Sequence, residues 1–149
     1  MKPEVIFETK KDIASFRDLD VYQRSYRAML ITMREIVKKL PPEEKYNLAD
    51  QGRRACQAIP RLIAEGYAKR HQLRGFHKYI DDAMAEANEM VVTLEQVRDL
   101  YPEYIDMVTC KRLIKTYEVI GRQLYRLAES WRSFVRDKSD KFPVSSPLP

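Results

Sequence analysis

Four stretches of apolar residues, spaced three and four apart, the first three closed by proline or glycine, constrain this chain more than any other feature. In the first, Leu19, Tyr22, Tyr26, Met29, Leu30, Met33, Ile36, Val37 and Leu40 fall on one stripe when projected at about 100° per residue. A helix is therefore predicted from Asp18, a suitable N-cap, to the stop at Pro41-Pro42. Some 22 residues at ~1.5 Å each give a rod of ~33 Å. Val21, Ala28 and Ile31 lie off this stripe, so they are expected at the surface or against another subunit.

The second helix is expected to open at Pro42-Glu43-Glu44, where acidic residues suit an N-terminus. Its stripe is Leu48, Gly52, Ala55, Ile59, Leu62, Ile63 and Gly66, whose small members let a second helix come close. Pro60 lies inside it and is expected to kink it. Gly66 and the polar run to Gly75 mark its end. The third helix carries Leu73, Phe76, Ile80, Ala83, Met84, Ala87, Met90, Val91 and Leu94 inward and stops near Tyr101-Pro102. The fourth runs from about Glu103 to Arg136, with Ile105, Val108, Leu113, Tyr117, Ile120, Leu124, Leu127, Ala128, Trp131, Phe134 and Val135 inward.

No stretch alternates with period two over a useful length. The expected fold class is all-α, an antiparallel up-down-up-down four-helix bundle, because short connections join neighbouring helices in opposite directions. Residues 1–15 form a polar arm, 16–137 the bundle domain, and 138–149 a Pro/Ser-rich tail expected to stay disordered. With 44% apolar and 33% charged residues, 149 residues suffice for one core under a charged surface. No apolar run approaches the ~18 residues of a membrane span, and the N-terminus lacks a signal-peptide layout. No membrane association is expected, and the expected location is the cytoplasm. Cys56 and Cys110, on apolar faces, are expected as buried free thiols.

Catalytic signatures are missing from the sequence. It has no Gly-rich phosphate loop and no G-x-S-x-G elbow. His71 and His77 stand six apart, on different sides of a helix, unlike the i,i+4 pair that grips a metal; both are expected to titrate at the surface. Metal-binding carboxylate bundles need Glu-x-x-His on inward faces, and Glu65, Glu86, Glu89 and Glu95 are not followed by one. No catalytic residue, cofactor or metal is assigned, and the chain is not expected to be an enzyme.

What remains is charge. The formal net charge is +5, unevenly spread. Residues 50–80 hold seven basic side chains against two acidic, residues 81–106 one against eight, and residues 109–138 eight against three. Such blocks suit either a polyanion or the mating of neighbouring helices and subunits. Arg54 and Arg61 share the polar face of the second helix with Asp50 and Glu65, which allows a simple intrahelical charge ladder. From Lys69 to Lys78 the chain offers Lys69, Arg70, Arg74 and Lys78 with no acid between, a composition suited to phosphate contacts or to an ordinary solvated turn. Lys111, Lys115, Arg122, Arg126 and Arg136 form a stripe on the fourth helix, interrupted by Glu118 and Glu129, with Glu118 placed to pair with Arg122; it suits phosphate contacts or an ordinary solvated face. The tyrosines fall mostly on apolar stripes and are expected in the core, not as a base-stacking platform.

Two stretches carry a resemblance. FRDLDVYQRSYRAM from Phe16 and RRACQAIPRLIAEG from Arg53 to Gly66 resemble the bacterial four-helix bundle family of proteins encoded within intervening sequences of large-subunit ribosomal RNA genes. The accessory variability proteins of diversity-generating retroelements resemble the same fold. The signature is Arg-Arg-Ala, then Ile-Pro, then Ile-Ala-Glu-Gly, so Arg53, Pro60, Glu65 and Gly66 are its structural marks, and Glu65 is expected to bridge Arg54 or Arg61. The chain departs from the pattern at Ala58, Arg61 and Leu62, where relatives often carry Ser and Asn. The resemblance covers roughly residues 16–130. It implies a homopentameric barrel, a basic surface for RNA or DNA, no enzymatic activity and, in the retroelement branch, a reverse transcriptase as partner. The function expected is thus that of a non-catalytic oligomeric nucleic-acid-binding accessory protein. The alternative is a protein–protein scaffold that binds no nucleic acid.

Overall fold

The computed structural model describes residues 13–141, with side chains as far as Ser133. Four α-helices make up the fold: α1 (Asp20–Ile31), α2 (Leu48–Ala68), α3 (Leu73–Leu100) and α4 (Met107–Lys141). No strand occurs among the described residues. α1 packs on α2 and α4, and α3 packs on the same two helices from the other side. The interior so enclosed is filled by Ile59 and Ile63 of α2, Ile80, Met90 and Leu94 of α3, and Tyr117, Ile120, Leu124 and Leu127 of α4. α4 extends past the boundary expected at residue 137. Residues 1–12 of the expected arm and 142–149 of the expected tail lie outside the described residues, as do the side chains of Phe134, Val135 and Arg136.

The first apolar stretch folds differently from a single uninterrupted helix. Ser15, not Asp18, opens it: the Ser15 hydroxyl accepts from the Arg17 N–H at 3.1 Å. The Asp18 carboxylate reaches back to the N–H groups of Ala14 (2.9 Å) and Ser15 (3.0 Å). This reciprocal cap holds a 3-10 turn, Phe16–Asp18, and α1 starts after it. Beyond Ile31 the backbone widens into a π turn over Thr32–Ile36, then tightens into a 3-10 turn over Val37–Lys39. The buried row is Val21, Ser25, Ala28, Thr32 and Ile36. Val21 and Ala28 are therefore core residues and not surface ones; of the three residues off the stripe only Ile31 is exposed. Small side chains let α1 sit deep in the groove between α2 and α4, while the larger Tyr22, Met29 and Met33 flank it and are half-buried.

The second stretch also starts later than expected. Pro42–Glu44 form a 3-10 turn, and α2 begins at Leu48, whose N–H is accepted by the Glu44 carboxylate at 3.1 Å. Tyr101, at the end of α3, donates its hydroxyl to the other Glu44 oxygen at 2.6 Å. Pro60 is buried inside α2 and does not end it. α4 begins at Met107, not Glu103, because Asp106 caps it, accepting from the Thr109 N–H (3.3 Å) and hydroxyl (2.6 Å). As a result Val108 faces solvent, as does Leu73 at the start of α3.

Specific pairs fix how the helices sit together. Gly52 of α2 faces Thr93 of α3, and Gly66 faces Tyr79 and Ile80. Cys110 of α4 reaches the Leu94 carbonyl at 3.5 Å, while Trp131 stacks near Phe76 with ring centroids 5.4 Å apart. Gln123 of α4 donates to Asp20 at 2.6 Å, and Tyr117 meets Thr32 at 2.8 Å. Cys56 and Cys110 are buried and free, and burial pushes the Cys56 thiol up to about 12.

Candidate nucleic-acid interface

The connection from α2 to α3 is tight because Gly66 has no side chain. A Cβ there would come within 3.2 Å of Tyr79 Cβ and 3.3 Å of Ile80 Cδ1. Gly75 does the same for the turn, since a Cβ on it would lie 3.3 Å from Lys69 Cβ. The turn's backbone is satisfied internally: the Lys69 N–H bonds to Glu65 O and Gly66 O, Arg70 N–H to Tyr67 O, and Gln72 N–H to Lys69 O. Its cations are thus carried on an ordered backbone.

Those cations gather on two aromatic rings. Lys69 Nζ lies 5.7 Å from the Tyr79 ring centroid, and Lys78 Nζ lies 5.6 Å from the same centroid. The Arg70 guanidinium covers Tyr67 at 4.1 Å and donates to the Tyr67 carbonyl at 2.8 Å. Arg74 and His71 are exposed beside them. No carboxylate approaches Lys69, Arg70, Arg74 or Lys78 within ion-pair distance among the described residues. Cation–π contact leaves the charge available to an anion, whereas a carboxylate would neutralise it.

A second set of cations runs along α4. Lys111, Lys115, Arg122 and Arg126 are all exposed and share one face over about 22 Å of helix axis. Glu118 stands among them but makes no ion pair with Arg122, and Glu129 is engaged by Arg132 at 3.1 Å. The four residues therefore form an unpaired ridge and not a charge ladder.

Arg54 and Arg61 belong to neither set. Arg54 is held by Asp50 at 3.0 Å, and the same carboxylate binds Arg53. Glu65 forms no ion pair with Arg54 or Arg61, so the bridge expected within the signature is absent. Arg61 lines a groove of about 370 Å³ between α2 and α3 together with Glu65, Asp82 and Glu86. Burial, and then the charge of Glu89, holds the Glu86 carboxyl above its usual range.

The tyrosines depart most from expectation. Only Tyr117 is buried; Tyr22, Tyr67, Tyr79 and Tyr101 are half-buried, and Tyr26, Tyr46, Tyr104 and Tyr125 are exposed. The Tyr67–Arg70 contact has a local signal in its three-residue spacing across the end of α2. The gathering of Lys69 and Lys78 on Tyr79 has none, because it needs two helices closed over Gly66. His77 departs as well: it is half-buried, with its Nε2 enclosed and unpartnered, and burial lowers its pKa ahead of the charge on Arg132. Among the described residues no three His, Cys, Asp or Glu side chains gather as a metal site, and no helix is long and apolar enough to cross a membrane.

No curated protein matches the chain. A family model does: that of the 23S rRNA-intervening sequence protein matches residues 17–126. The match spans most of the chain and takes in the α2–α3 turn and the α4 ridge through Arg126. The chain belongs to the family of 23S rRNA-intervening sequence proteins.

Proposed function

We propose that this protein is a non-catalytic, oligomeric accessory that holds nucleic acid by its phosphates, through the α2–α3 turn and the α4 ridge. The observation that carries this is the cluster of Lys69, Arg70 and Lys78, set on Tyr67 and Tyr79 with the exposed Arg74 in the same turn and no carboxylate neutralising it among the described residues. Cations presented this way suit backbone contacts, which give affinity without sequence preference. Membership of a family described by ribosomal RNA intervening sequences favours RNA as the ligand.

The bundle is antiparallel in this proposal. Pairs that ascend one helix descend its neighbour: Gly52 with Thr93 and Gly66 with Ile80, and Asp20 with Gln123 and Thr32 with Tyr117. Five bundles assemble into a barrel, which repeats a modest patch around a ring and raises avidity. The protein works in the cytoplasm. In the retroelement branch of the fold it assists a reverse transcriptase.

The test is RNA and DNA binding by nuclease-treated protein across a salt series, with mass from light scattering on the same samples. The expected result is a pentamer whose affinity falls steeply with salt, at about −0.7 per phosphate contact for single strands. Reversing Arg70 and Arg74 to Glu flattens that slope. A pentamer indifferent to both nucleic acids sinks the proposal and leaves a protein–protein scaffold, to which the segregated charge of α3 and α4 is equally suited.

A further inference from the structure

α4 carries a glycine that does nothing for packing. A Cβ built on Gly121 meets no atom within 4 Å, whereas Gly52 and Gly66 are pressed by Val37 and by Tyr79. Glycine is the least favourable residue after proline in a helix interior. Gly121 sits mid-helix, where no turn or positive φ calls for it. Its effect is to keep space open. The space is a groove of about 530 Å³ between α3 and α4, within the size range that takes a small ligand group.

The walls of the groove match one kind of occupant. Tyr125 stands in it 60% exposed, its ring uncovered by any cation or second ring among the described residues. Arg122 and Arg126 flank that ring, and neither has an ion-pair partner. Met84 and Asn88 of α3 form the opposite wall. Glu118 lines the far end, two helical turns (~12 Å) from Arg126, so the groove is cationic at one end and carries hydrogen-bond acceptors at the other.

We infer that this groove takes an unpaired nucleotide of single-stranded RNA, its base stacked on Tyr125 and its phosphates on Arg122 and Arg126. The inference rests on the nucleic-acid reading above and adds to it a choice of strand state. Phosphates alone do not distinguish a duplex from a single strand, but a stacking ring does, because base faces in a duplex are already covered. Asn88 and Glu118 offer an amide and a carboxylate to the edge of the base. The α2–α3 turn, which has no uncovered ring, holds both forms.

The experiment compares single-stranded oligo(A) and oligo(U) of about 12 nucleotides with an RNA duplex of the same length. Binding to wild type, Tyr125→Ala, Tyr125→Phe, Gly121→Leu and Arg70→Glu/Arg74→Glu is measured by anisotropy, with melting temperature and light-scattering mass on the same samples. Tyr125→Ala is expected to lose about tenfold in affinity for the single strands and nothing for the duplex, while Tyr125→Phe stays near wild type. Gly121→Leu fills the groove without changing a charge. It is expected to raise the melting temperature and still weaken single-strand binding, a combination that damage to the fold does not produce. If Tyr125→Ala and Gly121→Leu bind like wild type while Arg70→Glu/Arg74→Glu does not, the groove proposal is wrong and the turn stands. A change of mass in Gly121→Leu with RNA binding intact assigns the groove to a second copy of the chain and overturns the inference. Absence of RNA binding by wild type removes both.

Discussion

Replacing Tyr117 with Phe removes a single oxygen from the middle of the molecule. That oxygen lies 2.8 Å from Thr32 Oγ1, and Thr32 Oγ1 lies 2.7 Å from the Ala28 carbonyl. Thr32 has one hydroxyl hydrogen, and the carbonyl can only accept, so Tyr117 is the donor to Thr32. The backbone N–H of Thr32 also bonds to the Ala28 carbonyl, which keeps a partner whatever happens to the hydroxyl. Tyr117→Phe therefore removes one hydrogen bond and leaves Thr32 still donating, at about 1 kcal/mol. Thr32→Val keeps the shape but leaves a buried phenol with no partner, at about 2–3 kcal/mol. The double variant has no orphan, so its loss falls short of the sum by about 1–2 kcal/mol. At about 2–4 °C per kcal/mol for a domain of this size, Tyr117→Phe melts a few degrees below wild type. Urea titration and thermal melting of all four proteins close the cycle. Losses that add to within about 0.5 kcal/mol would falsify the assignment of Tyr117 as Thr32's buried partner.

Three further outcomes are expected. Tyr101→Phe lowers the urea midpoint at neutral pH, since the Tyr101 hydroxyl, ahead of the Leu48 N–H, holds the Glu44 carboxyl below its usual range. A depressed carboxylate stabilises above its unfolded pKa and stops doing so as pH falls through the folded value, so the two stability curves must converge in acid; a constant gap would refute the link. Gly66→Leu drives a side chain into Tyr79 and Ile80 and costs about 1–3 kcal/mol. It also displaces Tyr79 from under Lys69, so a variant that folds and binds RNA normally would show that the ring contact is dispensable. Cys56, buried and with its thiol pushed to about 12, stays unreactive to thiol reagents at pH 8 until the protein unfolds, and rapid labelling of the native protein would contradict its placement.

The residues that sequence alone read well are those whose environment is set by their own helix. Ile59, Ile63, Ile80, Leu94, Ile120, Leu124 and Leu127 repeat at helical spacing in α2, α3 and α4, and all are buried. The cationic turn was legible because four basic residues in ten carry no acid among them. α1 was read less well. Its buried row consists of small and polar residues, Ser25, Ala28 and Thr32, with the tyrosines beside it, so an apolarity stripe points to the wrong face. The π turn at Thr32–Ile36, which follows that row and adds a residue to the turn, has no local sequence mark either.

Periodicity, helix-stopping residues and charge blocks are properties of neighbours in the chain, and they determined an all-helical fold with a basic turn. Which cations remain unpaired is a property of neighbours in space. Arg54 has an acid four residues back and is neutralised by it, while Arg122 has one four residues back and is not. Spacing treats the two alike; the positions of the side chains in space separate them. The closure of α2 on α3 over Gly66 set Lys69 and Lys78 on Tyr79, and the opening between α3 and α4 left Tyr125 bare. Both depend on the distance between helices, which the packed tertiary structure sets.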